Sequence, residues 1–222
     1  MLVEKRIFWI TLGGQKHLAT INLVSGMKVH NEKLVEKDGI EYRIWNPNRS
    51  KLAAAINNGL EYLPVNIGSK VLCFNASEIT VSHISDIVGN DGIVYFVTDK
   101  KLLSNSFLKK IHPIRSNIII IQESFSKDNH YSEINEPIDF VYLDLDQNDL
   151  TDAITNWQKY LKVTGFFLLS FNKNNFGKSK KIVNLILDEA LIQNTFKIIQ
   201  MVQLEGFFKT YSMVLASFSI ER

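Results

Sequence analysis

The sequence predicts an α/β fold. A mostly parallel, doubly wound sheet of seven strands with helices on both faces (residues 47–222) follows a small antiparallel β domain (residues 1–46). Three observations carry this reading. Short alternating runs broken by turn residues fill the N-terminal stretch. After Lys70 the rhythm changes to strand, loop and helix, the alternation that builds βαβ units. Two consecutive β-rich runs then close the chain and read as antiparallel strands at a sheet edge.

RIFWITL, HLATINL, MKVHN, KLVEK and EYRIW are the N-terminal runs, separated by Gly13-Gly14, Ser25-Gly26 and Asp38-Gly39. Asp-Gly signals a hairpin because both residues tolerate the positive φ of a tight turn. Pro47 and Arg49 lead into KLAAAINNGLEYL, helical by its alanines and leucines, with Ser50 as N-cap. From Val71, the runs VLCFN, GIVYFVT, NIIIIQE, DFVYLDL and GFFLLSF have the β-branched and aromatic content of buried strands. SHISDIVG, LSNSFLKKI, LTDAITNWQKYLKV and KSKKIVNLILDEALIQ carry helical patterns between and after them. FKIIQMVQLEG and YSMVLASFSI complete the seven. Pattern alone suits more than one doubly wound fold.

A chain of 222 residues with 45% hydrophobic content can bury one good core. Its 25 basic residues nearly balance 23 acidic ones, so any nucleic-acid contact must come from a local patch. The single cysteine, Cys73, excludes an intramolecular disulfide framework and suits a reducing compartment. Lying inside an apolar strand, it reads as core. Glu4, Lys5 and Arg6 precede an apolar run too short for a signal peptide, and no run approaches the roughly 18–20 apolar residues of a membrane span. A cytoplasmic protein without membrane contact is expected. Asp144, Asp146 and Asp149 lack the glycine and distal glutamate of a calcium loop and read as turn residues, so no metal is expected. The chain holds no P-loop, zinc-ligand spacing or serine-nucleophile elbow.

Tyr42–Ile56 (YRIWNPNRSKLAAAI) and Val71–Gly89 (VLCFNASEITVSHISDIVG) resemble fibrillarin, the 2′-O-methyltransferase subunit of the RNA-guided C/D-box ribonucleoprotein, in its archaeal form. The resemblance runs from about His17 to the end of the chain. It implies a class I, Rossmann-like S-adenosylmethionine (SAM) methyltransferase fold. It also implies where the cofactor contacts fall. In the family, two glycines after the first strand let backbone amides close around SAM. Here the loop is one residue shorter, with Asn75 and Glu78 at the glycine positions. A carboxylate at 78 facing that of SAM at about 4 Å repels by roughly 1 kcal/mol in water and several when partly buried. Thr98, followed by Asp99, replaces the acid that binds the ribose hydroxyls. Ser124, beside Glu123, replaces the aspartate after the third strand.

The same resemblance implies a Lys-Asp-Lys-His tetrad that deprotonates and orients the ribose hydroxyl. Lys51 and Asp144 match its first two members, whereas Asn172 and Tyr211 replace the second lysine and the histidine. Lys173 lies one position beyond Asn172. Lys51 also reads as a solvated lysine at a helix start, and Asp144 as a cap for the following loop.

The expectation is therefore a chain that is no longer an enzyme and needs no cofactor. It would be a structural subunit of an RNA-processing particle, joined to it by a Nop-domain scaffold partner. The alternatives are an active SAM-dependent RNA 2′-O-methyltransferase, with Lys173 shifted into the site, and a scaffold-independent RNA-binding module. Lys100, Lys101, Lys109, Lys110 and Arg115, and then Lys178, Lys180 and Lys181, are basic sets that could meet RNA phosphates, or ordinary solvated helix faces. No DNA contact is expected. Phe207, Phe208 and Tyr211 are candidates to stack a base or fill the cofactor cleft.

Overall fold

The computed structural model describes residues 6–99, 101, 103–122, 131–145, 150–176 and 195–218. Strands β1 (Ile7–Leu12), β2 (Gln15–Ile21), β3 (Leu34–Lys37) and β4 (Ile40–Ile44) form an antiparallel sheet of order β1-β2-β4-β3. Asp38 and Gly39 take φ of 54° and 75° and pair Lys37 with Ile40, as a two-residue hairpin of this hand requires. MKVHN forms no strand. The backbone N–H groups of Val29 and His30 instead donate to the Glu32 carboxylate at 2.9 and 2.7 Å.

Helix α1 (Lys51–Asn57) starts where Ser50 Oγ accepts the N–H of Ala53. It stops after seven residues, shorter than the sequence predicts. The Asn58 amide donates to the carbonyls of Gln203 and Glu205, both at 2.9 Å, and ties the helix end to the C-terminal hairpin.

The large sheet comprises β5 (Lys70–Phe74), β6 (Ile93–Thr98), β7 (Ile118–Gln122), β8 (Ile138–Leu145), β9 (Leu161–Asn172), β10 (Phe196–Gln203) and β11 (Tyr211–Phe218). Its order is β10-β11-β9-β8-β5-β6-β7. The five strands from β5 to β9 run parallel, and β11 is antiparallel to both β9 and β10. The last strand thus inserts between β9 and β10, so of the closing pair only β10 lies at an edge. Helices α2 (Glu78–Val88) and α3 (Leu150–Gln158) follow β5 and β8. The predicted helix ending at Val163 is cut short because β9 already begins at Leu161. LSNSFLKKI ends in one wide turn (Phe107–Ile111), and a 3-10 turn (His112–Ile114) follows it; Pro113 lacks the N–H needed to continue the wide turn. KSKKIVNLILDEALIQ lies outside the described residues.

One face of the sheet buries Cys73, Tyr142, Leu168 and Met213 against α1, α2 and Trp45. The other buries Phe74, Leu143, Phe167 and Val214 with Trp157 of α3. The small and large sheets are joined through Asp86 of α2, which is fully buried. Its carboxylate accepts from Arg43 and Arg115, each at 2.8 Å, from the Thr20 hydroxyl at 2.7 Å and from the Leu23 N–H at 3.1 Å. Because the Thr20 hydrogen goes to that carboxylate, Thr20 Oγ1 must accept from His83 Nδ1 at 2.8 Å. His83 thus carries a proton on Nδ1, and burial, holding its pKa well below the usual range, keeps the imidazole neutral where it stacks 4.7 Å from Trp45.

Arg115 is corrected by this arrangement. It is 1% exposed and also donates to Ser82 O and Ser85 Oγ, so it is a core cation with no access to RNA.

Candidate active site

In open parallel sheets, ligands bind beyond the carboxyl ends of the strands where the strand order reverses. Here the reversal lies between β5 and β8, since β6 follows β5 on one side and β9 follows β8 on the other. The loop after β5 and the end of β8 therefore define the crevice.

Lys51, the first residue of α1, reaches across to Asp144 near the end of β8. Their Nζ–Oδ1 distance is 2.6 Å, and the side chains are 14% and 13% exposed. The ammonium also stands 3.7 Å from the centroid of the Tyr211 ring. Tyr211 is paired in register with Asn172, and Asp144 with Ser170. Strand alternation puts Tyr142, Asp144, Ser170, Asn172 and Tyr211 on one face. The four positions inferred from the sequence thus converge. Lys173 does not join them: its N–H donates to Thr210 O, and its ammonium lies 3.7 Å from Glu205. Phe207, Phe208 and Tyr211 pack against the α1 side of the core.

Two residues of this face were not legible from the sequence as neighbours of Asp144. The Tyr142 and Ser170 hydroxyls are buried without a hydrogen-bond partner among the described residues. Burial first, and then the Asp144 charge, push the Tyr142 phenol well above its usual range. Only the register between β8 and β9 reveals that Ser170 faces Asp144.

The loop after β5 answers the argument from lost glycines. Asn75 has φ of 52°, in the left-handed region, and its N–H donates to Val97 O at 3.0 Å. Asparagine is among the few residues besides glycine that visit this region routinely. Glu78 does not act as an unpaired anion. Its carboxylate accepts from the Ser104 N–H at 2.6 Å and hydroxyl at 2.8 Å, with His30 Nε2 at 3.4 Å. Thr98 is buried at the end of β6, and Asp99 beyond it accepts the Lys101 N–H at 2.9 Å. Ser124, Lys100, Lys178, Lys180 and Lys181 lie outside the described residues. Lys101, Lys109 and Lys110 are exposed.

Residues 3–220 match the Fibrillarin family. The chain belongs to that family. It is 33% identical over 220 residues to a fibrillarin-like rRNA/tRNA 2′-O-methyltransferase from Methanopyrus kandleri, spanning 96% of this chain and 93% of that protein. The Aeropyrum pernix fibrillarin, crystallised with natively bound S-adenosyl-L-methionine, superimposes with a TM-score of 0.85 at 29% identity, covering 97% and 96% of the two chains. A fibrillarin in complex with Nop5p gives a TM-score of 0.77 at 26% identity, covering 97% and 98%.

These findings correct two expectations for this fibrillarin family member, the absence of enzymatic activity and the absence of a cofactor. A relative matched over nearly its whole length is named a methyltransferase, and a family structure carries SAM. The physical reason lies in the loop: φ at position 75 is the one a glycine would supply, and the acid at 78 is bound by Ser104. The residues present fit the cofactor. Asn75, the backbone at the start of α2 and Asp99, one residue beyond β6, would hold it.

Proposed function

We propose that this chain is a SAM-dependent 2′-O-methyltransferase of ribosomal and transfer RNA, working in the cytoplasm within a ribonucleoprotein built on a Nop-domain scaffold protein. The observation that carries the proposal is the Lys51–Asp144 pair at the sheet reversal point. When bound, SAM supplies an electrophilic methyl group. Asp144 takes up the proton of the ribose 2′-hydroxyl, and the Lys51 ammonium stabilises the oxyanion that develops. The Tyr211 ring fixes that ammonium by a cation–π contact. No second cation is needed at Asn172 if the ordered pair alone orients the hydroxyl.

The names of the relatives support the substrate class, and the Nop5p complex of a related fibrillarin supports the scaffold. The exposed lysines Lys101, Lys109 and Lys110 remain candidates for RNA contact. The test is reconstitution with a Nop-domain protein, a guide RNA, a complementary target and tritiated SAM. One 2′-oxygen of the target should become labelled, and Asp144→Ala should abolish the label. No heat on titration with SAM into the millimolar range would sink the proposal.

A further inference from the structure

A second cleft, of about 700 Å³, opens between the small sheet and the first two helices. Three separate segments bring cations to it: Lys16 from the β1–β2 hairpin, Lys33 before β3, and Arg49 before α1. Lys16, Lys33 and Arg49 are exposed. The Arg49 guanidinium is anchored across the cleft by donating to His30 O at 3.1 Å. Glu32 is the one acid among the described lining residues, and its charge is matched by Arg43 Nε at 2.7 Å. The lining therefore presents an excess of positive charge. Trp45 also belongs to the lining, and its indole N–H is buried without a hydrogen-bond partner among the described residues.

We propose that this cleft binds phosphodiester groups of an RNA strand, a contact separate from the methyl-transfer site. It rests on the RNA substrate class proposed above. The volume falls within the roughly 300–1,000 Å³ range of organic ligand sites and exceeds what a bare ion needs. Spacing the cations over three segments suits consecutive phosphates better than a single anion. Arg49 stands two residues before Lys51, so a strand lying in the cleft continues toward the Lys51–Asp144 pair.

The test compares the wild-type chain with Lys16→Ala/Lys33→Ala, measuring anisotropy of a short fluorescent single-stranded RNA from 20 to 200 mM salt. Loss of two phosphate contacts should reduce the slope of log K against log salt by about 1.4, with affinity about 20-fold lower at 0.1 M. Thermal melting and SAM affinity should be unchanged. Equal affinity and slope in the two proteins overturn the inference, as does a wild-type chain that binds no RNA at 20 mM salt. Inorganic phosphate is titrated in parallel. Phosphate binding lost in the variant while RNA binding persists would make this a free-anion site and also overturn it. A chain that binds RNA through Lys16 and Lys33 but takes no SAM would leave this inference standing and the methyltransferase proposal refuted.

Discussion

Lys51 and Asp144 are 93 positions apart in the sequence, yet their charged atoms meet at 2.6 Å. The contact exists because the first turn of α1 lies over the carboxyl end of β8, where the strand order reverses. Asp144→Asn keeps the shape and removes the charge. Turnover should fall by about 10²–10⁴-fold, the usual worth of a positioned acid–base group, with SAM affinity retained in calorimetry. Tyr211→Leu, which removes the ring under the ammonium, should cost about two- to fivefold, in keeping with ~0.5–1 kcal/mol for such a contact.

The Tyr142 and Ser170 hydroxyls lie on the Asp144 face without partners among the described residues, and a buried unsatisfied hydroxyl costs about 1–3 kcal/mol. Tyr142→Phe should therefore raise the urea unfolding free energy by about 1 kcal/mol while lowering turnover. Stability and activity moving together in either direction would exclude a positioning role for this hydroxyl.

At position 75 the backbone already has the conformation a glycine would adopt. Asn75→Gly should change SAM affinity by less than about threefold. Asn75→Val puts a β-branched side chain at positive φ and should destabilise the protein by about 1–2 kcal/mol, visible as a lower melting temperature.

Asp86 holds two buried guanidinium groups, one from each sheet system. Asp86→Ala leaves Arg115 without its carboxylate and Arg43 with Glu32 alone, and should cost about 3–5 kcal/mol in chemical denaturation, enough to unfold a marginal domain. Lys16→Ala, at an exposed hairpin position, is the matched control with little change.

Acid should weaken the fold in two windows. Burial, then the neighbouring Arg43 and Arg115, hold His83 well below its ordinary 6.5. The unfolded chain therefore binds a proton that the folded one does not, and stability falls as pH drops below about 6.5. For Glu32, burial alone would raise the carboxyl, but Arg43 and the N–H groups of Val29 and His30 outweigh it and lower the pKa from 4.5 to about 2. Its contribution is complete above 4.5 and is lost as pH falls through about 2. It is worth about 2 kcal/mol once partial exposure is discounted. Glu32→Gln should erase the lower window and leave the upper one, measured by urea titrations between pH 2 and 8.

Local rules carried much of the fold. Asp38-Gly39 announced its hairpin, Ser50 its helix cap and the β-branched runs all seven strands of the large sheet, because turn geometry, capping and side-chain alternation depend on neighbouring residues. The resemblance to fibrillarin pointed to Lys51, Asp144, Asn172 and Tyr211 as one constellation. The same motif positions misdirected the reading of activity. Whether Asn75 can replace a glycine depends on its φ, and whether Glu78 repels an anion depends on Ser104, 26 positions away. Arg115 looked like one more surface cation in a basic run; only Asp86 makes it core. The sequence by itself determined most of the elements and their order, and its resemblance to the family supplied four residues of the site. The tertiary structure alone decided which charges are matched, which hydroxyls are left over beside Asp144 and where β11 inserts, since each depends on partners brought together only by folding.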